Sequence, residues 1–115
     1  METVLLRDGS MQTPIASYFA HEATDPQAVA RCFTEDAVVV DERQEHRGRA
    51  AIAAWNAAAV AKFGITTQVL AIEDEDGAHT TVRAKVSGTF PGSPIELLFR
   101  FTLQGALIAR LEIAP

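Results

Sequence analysis

Residues 95–113 read "IELLFRFTLQGALIARLEI", and this stretch decides the fold. Ile95, Leu97, Phe99, Phe101 and Leu103 take every second position, with Glu96, Arg100 and Thr102 among the residues between them. That period belongs to a strand with one face buried. Gln104–Gly105 breaks the run. Leu107, Ala109, Leu111 and Ile113 are then expected to share one face of a second strand. A break this short joins antiparallel neighbours.

Upstream, the same logic continues. "PGSP" at 91–94 turns the chain, and "HTTVRAKVSGTF" sets Val82, Ala84 and Val86 against Arg83, Lys85 and Ser87. Asp76–Gly77 is a strong hairpin signal. "ITTQVLAIED", from Ile65, supplies one more strand. The acidic run at 73–76 reads as a solvated hairpin tip. The second half of the chain is thus a four-stranded antiparallel meander.

The first half is helical. Thr13 is expected to cap a helix with Pro14 at its first position, and Ile15, Tyr18 and Phe19 follow at helical spacing. Asp25 caps a second helix that opens on Pro26, with Val29, Cys32 and Phe33 as its buried stripe. "AVVVDE" at 37–42 is a short strand, paired with Glu45–Arg47 through a turn near Arg43–Gln44. Gly48 opens the longest helix, with Ile52, Trp55, Ala59 and Phe63 on one face, and Gly64 closes it as a left-handed cap. Helices placed ahead of an antiparallel sheet give the α+β class, with helices on one sheet face. Residues 1–12 lack a period and are expected to form a flexible arm ahead of a single domain, 13–115.

Composition narrows the function. At 115 residues with 48% apolar content, one globular core is expected. The net charge of −5, without a basic cluster, argues against a nucleic-acid partner. The N-terminus lacks the pattern of a signal peptide, and no apolar run has the length of a membrane helix, so a cytoplasmic protein is the expectation. A single cysteine, Cys32, forbids an internal disulfide and a cysteine-rich zinc site. His21, His46 and His79 show no ligand spacing, so no metal is expected.

The segment "YFAHEATDPQAVARCFTEDAVVVDERQEHRGRAAIAAW", Tyr18 to Trp55, resembles the nuclear transport factor 2-like superfamily, in particular its SnoaL-like group of polyketide cyclases and ketosteroid isomerases. Its marks are an aromatic pair on the first helix, an aspartate before the second, Phe-x-x-Asp-Ala, a strand ending in an acid, and a Gly before an Ala-Ile helix. The tail from Val86 to Ile113 fits the group's closing hairpins, so the resemblance spans about residues 13–114. It implies a cone-shaped domain: a curved antiparallel meander around one long helix, two further N-terminal helices, and a pocket at the open end. It also implies a homodimer formed through the sheet. Such a fold hosts many unrelated functions.

In the isomerase pattern, the acid that ends this strand is the general base, five residues after the aspartate of the Asp-Ala pair. Asp36 and Asp41 have that spacing here. Steroid isomerisation itself is not expected. The segment around Tyr18 is one residue shorter than in the isomerases, and "IELLFRFTL" offers no aspartate as a second donor to an oxyanion. His46 is placed to exchange a proton with Asp41 if the two short strands pair. Tyr18 carries a hydroxyl that needs a partner once buried. Trp55, Phe33, Phe99 and Phe101 are the candidate walls of a ligand pocket, although aromatic residues at these spacings also serve as plain core. Arg100 and Glu112 could imitate part of an epoxide-opening acid–arginine set, but cross-strand charge pairing explains them as well. Two readings stay open. One is a cofactor-free isomerase, lyase or cyclase moving a proton on a small apolar molecule. The other is a non-catalytic ligand-binding or dimeric interaction domain.

Overall fold

The computed structural model describes residues 12–115, so the expected arm at 1–12 falls almost wholly outside the described residues. Helix α1 spans Thr13–His21 and helix α2 spans Pro26–Arg31. Asp25 caps α2 as expected, its Oδ1 accepting the Ala28 N–H at 3.0 Å. The start of α1 differs from expectation: Gln12 is the cap, Thr13 is the first helical residue and Pro14 the second. The Gln12 carbonyl accepts from both Ile15 and Ala16, and no side chain caps the end. Helix α2 also stops sooner than its apolar stripe predicts. Phe33 begins strand β1, Phe33–Asp41, and is buried by the sheet rather than by a helix face. Cys32 remains a core residue whose thiol donates to the Ala28 carbonyl.

Strand β1 turns into β2, Gln44–Arg47, and Asp41 pairs with Gln44. The loop is therefore Glu42–Arg43, one residue earlier than expected. Both residues have positive φ, 53° and 65°. A two-residue hairpin whose twist matches its strands demands such angles, which normally select Asn-Gly. An L-residue there costs roughly 1–2 kcal/mol. Arg43→Gly is accordingly expected to stabilise the protein by about 0.5–1 kcal/mol, after the added freedom of glycine in the unfolded chain is offset. A urea midpoint below that of the parent protein would contradict this account.

Helix α3, Arg49–Phe63, follows. Gly64 ends it in the left-handed region, φ 58°, and donates to the Val60 carbonyl at 2.8 Å. Its deepest face is Ile52, Ala53 and Asn56. The expected stripe of Ile52, Trp55, Ala59 and Phe63 is thus rotated: Trp55, Ala59 and Phe63 are only half-buried, because they border a hollow rather than the packed core.

The meander is present as β3 (Thr66–Asp76), β4 (His79–Ser87), β5 (Ile95–Gln104) and β6 (Leu107–Ala114). The acidic run at 73–76 is exposed at the end of β3, where Gly77 turns the chain. Strand order is β2-β1-β6-β5-β4-β3. The short hairpin therefore extends the meander, and β1 joins β6 in parallel, a pairing that hairpin spacing could not reveal. One strand face differs from expectation. Thr102 pairs with Arg110 and Leu103 with Ile108, so Ala109 is an extra residue in β6. Such a bulge flips the faces. Ile108, not Leu107 or Ala109, joins Leu111 and Ile113 in the core.

The curled sheet and α1 enclose an aromatic cluster. Tyr18 packs edge-on against Phe19, Phe33 and Phe101, with ring centroids 5.1, 6.1 and 5.7 Å away. Phe99 and Phe101 stack at 6.5 Å. The outer surface of the sheet carries charge pairs: Arg83 with Glu73 at 2.6 Å and with Glu96 at 3.6 Å, and Arg110 with Glu112 at 3.6 Å.

Candidate active site

Between α3 and the curled sheet lies a hollow of about 970 Å³ that opens to solvent. Its walls come from Trp55, Ala59 and Phe63 of α3, Val86 of β4, Phe90 of the following loop, and Leu97 and Phe99 of β5. The β4–β5 loop is pinned to the end of α3. Thr89 N–H donates to the Phe63 carbonyl at 2.9 Å, and a Cβ on Gly88 would stand 2.8 Å from that same oxygen. Only glycine permits this approach, and it brings Phe90 edge-on to Phe63 at 5.8 Å.

Asp41 closes one side of the hollow. It ends β1, and the parallel register sets it beside Ile113 of β6. Trp55, one turn after Ile52 on α3, donates its indole N–H to Asp41 Oδ2 at 3.1 Å. The hairpin pairs His46 with Val39, which carries the imidazole to the same hollow, its ring 5.9 Å from that of Trp55. Burial raises the Asp41 pKa above its ordinary value. The Trp55 bond works against that rise, Glu42 adds to it, and His46 opposes it. No arginine pairs with Asp41 among the described residues; Arg47 reaches Glu45 instead, at 3.7 Å.

The residues expected to form the site divide into two groups. Asp41, His46, Trp55 and Phe99 border the hollow together. Tyr18, Phe33 and Phe101 lie behind it in the core, fully buried. Two polar residues join the first group that pattern reading passed over. Glu22 follows the end of α1, is 5% exposed, and accepts the Tyr18 hydroxyl at 3.2 Å on Oε2. Asn56 is 1% exposed and its Oδ1 has no hydrogen-bond partner among the described residues. Glu22 did leave a trace: it continues the Ile15–Tyr18 stripe by one further turn. Arg100 and Glu112, which pair across β5 and β6, do not border the hollow.

Burial pushes the Glu22 carboxyl up from its ordinary value of 4.5; the Thr67 and Tyr18 hydroxyls counter this and Asp41 adds to it. Tyr18 is itself raised well above 10.0, by burial first and by Glu22 second. An acid whose folded pKa is raised binds more protons in the folded state than in the unfolded one across the interval between the two values. Its stabilising contribution is then complete below about pH 4.5 and is lost as pH rises through the folded pKa. Urea unfolding across that range should show stability falling with rising pH, and Glu22→Gln should flatten part of the slope. An unchanged slope in the variant would mean that Glu22 is not the titrating group.

The sequence pattern of the SnoaL-like domain matches residues 15–111. The chain belongs to the SnoaL-like family. Among solved structures, this SnoaL-like chain is similar to a candidate polyketide cyclase from Sinorhizobium meliloti, with 40% identity and a TM-score of 0.85 over 90% of this chain and 94% of that one. It shares the fold of a protein from Catenulispora acidiphila with a ketosteroid isomerase-like fold, solved with trimethylamine: 20% identity and TM-score 0.80, over 92% and 87% of the two chains. It also shares the fold of an epoxide hydrolase/cyclase-like enzyme of pyran ring formation in salinomycin, at 22% identity and TM-score 0.76, over 89% and 87%. No curated protein matches. The family expected from Tyr18–Trp55 is therefore the family found, and the α+β nuclear transport factor 2-like architecture stands with it.

Proposed function

We propose that this SnoaL-like protein is a cofactor-free enzyme that moves a proton beside the carbonyl of a small, mostly apolar ketone, leading to isomerisation or ring closure. The observation that carries the reading is Asp41. It is a half-buried carboxyl on a mostly apolar hollow, held by the Trp55 indole N–H and by no arginine among the described residues. A carboxylate so placed is a stronger base than one in water, and its raised pKa brings it nearer to the pH at which it must work.

In the proposed step the Asp41 carboxylate takes a proton from the carbon next to the carbonyl. The C–H electron pair becomes part of an enolate. For isomerisation, the proton returns to another carbon of the conjugated system. For ring closure, the enolate carbon attacks a second carbonyl of the same molecule, a C–C bond forms, and the proton held by Asp41 neutralises the new alkoxide. The apolar walls reduce the contact of the enolate with water, and His46 beside Trp55 helps fix the indole that orients the base. The likeness to a candidate polyketide cyclase supports the ring-closing form.

The test uses 2-tetralone in deuterium oxide. Proton NMR should show loss of the α-proton signals faster with the protein than with buffer alone. No acceleration at millimolar ketone would remove the catalytic reading and leave a ligand-binding module. The accompanying proposal of a homodimer through the sheet is checked by sedimentation, where a monomer at micromolar concentration would exclude it.

A further inference from the structure

We infer that the end of the hollow formed by Asp41 and Trp55 binds a protonated amine carried on an apolar body, the ammonium N–H donating to the Asp41 carboxylate and its alkyl groups packing on the indole. This rests on the hollow being a ligand site, as proposed above, but not on Asp41 acting as a base.

A carboxylate withdrawn from water ordinarily gains a cationic partner from its own chain. Asp41 does not. The ion pairs among the described residues are Arg47–Glu45, Arg83–Glu73, Arg83–Glu96 and Arg110–Glu112. Neutral donors hold the carboxyl instead: the Trp55 indole N–H at 3.1 Å and the backbone N–H of Glu42. These leave lone pairs unused, since a carboxylate has about four acceptor sites. The His46 ring is set against Trp55 at 5.9 Å and forms no ion pair with Asp41 among the described residues. The charge is thus hydrogen-bonded but not balanced by an ion pair. Burial raises the Asp41 pKa in keeping with this. A bound ammonium supplies the balance.

The other charged groups on the hollow leave this end to Asp41. Glu22 is deeper, and burial favours its neutral form, so it competes weakly for a cation. Glu42, Arg43 and Lys62 are exposed. Lys62 Nζ lies 5.1 Å from the centroid of the Phe63 ring, so the protein already rests one alkylammonium against an aromatic residue of this wall. Lys62 stands seven residues after Trp55, about 10 Å along α3, where its exposed charge is largely screened from Asp41. Indole is a better surface for a cation than a phenyl ring. The carboxylate that accepts its N–H enriches its π face further. A divalent metal ion fits less well: no group of three or more His, Cys, Asp or Glu is placed to hold one among the described residues. Phe63, Phe90 and Leu97 then receive the apolar body of the amine.

The probes are N,N-dimethylbenzylamine, cationic at neutral pH, and N,N-dimethylbenzamide, which has the same skeleton without the charge. Trp55 is the one tryptophan of the chain, so its fluorescence reports on this end of the hollow. The full-length protein should bind the amine about tenfold more tightly than the amide. Asp41→Asn keeps an acceptor for the indole and removes the charge, so it should erase the preference while amide binding persists. Trp55→Phe, followed by calorimetry, should lower the preference without erasing it. Glu112→Gln removes an equal charge from the outer face of the sheet and should leave the preference whole. Urea unfolding confirms that each variant is folded, and Trp55→Phe carries the test if Asp41→Asn is not. Equal affinity for the two probes in the parent protein would overturn the inference. So would a preference that survives Asp41→Asn, is unchanged in Trp55→Phe, or is lost in Glu112→Gln. The amine should also slow 2-tetralone exchange by occupying Asp41. If the parent protein accelerates no exchange, the catalytic reading fails alone, because the two affinities are measured without it.

Discussion

Asp41→Asn is expected to slow protein-catalysed exchange of 2-tetralone α-protons by roughly 10²–10⁴-fold, the usual share of a positioned general base. The substitution keeps the size of the side chain and leaves an amide oxygen that can still accept the Trp55 N–H seen at 3.1 Å. It removes only the ability to take a proton. Affinity for the ketone should therefore change little while turnover collapses. Trp55→Phe makes a useful companion. The indole bond lowers the Asp41 pKa, so its loss should raise that pKa further and move the acidic limb of the rate profile to higher pH. A profile that stays in place in the Phe variant, or exchange that survives in the Asn variant, would dismiss Asp41 as the base.

Phe101→Ala should destabilise the fold by about 3–5 kcal/mol, the cost of deleting a large side chain from a core that cannot collapse around the gap. Phe101 is 1% exposed and touches the cluster on three sides, through Tyr18, Phe19 and Phe99. A domain of this kind has only about 5–15 kcal/mol of net stability, so the loss is a large fraction of the whole. The melting temperature should fall by roughly 10–20 °C. Phe101→Leu, which keeps more of the volume, should cost markedly less. Equal losses in the two variants would show that the site relaxes and that ring packing contributes little.

The architecture was largely legible in the residues because local signals and global packing agree there. The alternation of Val82, Ala84 and Val86 needs no tertiary information, nor does the Asp25–Pro26 start of α2 or the stop at Gly64. Reading failed where a distant partner decides. Ala109 carries no mark of a bulge, and only its register against Thr102 and Leu103 reveals one. Phe33 has the spacing of a helix residue, but Ile108 of β6 captures it into a strand. The site shows the same division. Asp41 was visible as an acid ending a strand. Its link to Trp55 joins two elements whose separation in sequence matches no helix or strand period. Glu22 continues the Ile15–Tyr18 stripe, but a charge-bearing side chain at a helix end is ordinarily solvated, and only the packed fold shows that it is buried.

The parallel junction between β1 and β6 has a consequence for how the protein is made. Val38 lies beside Arg110, roughly seventy positions further along the chain, and pairings over such distances are slow to form. A ribosome delivers residues in order, so β1 and its hairpin must wait outside the exit tunnel until β6 has emerged. During that wait the edge of β1 stands open to other chains. The strand that carries Asp41 thus precedes the meander in synthesis and is secured after it, and the growing chain holds a nearly finished meander before it holds the candidate site.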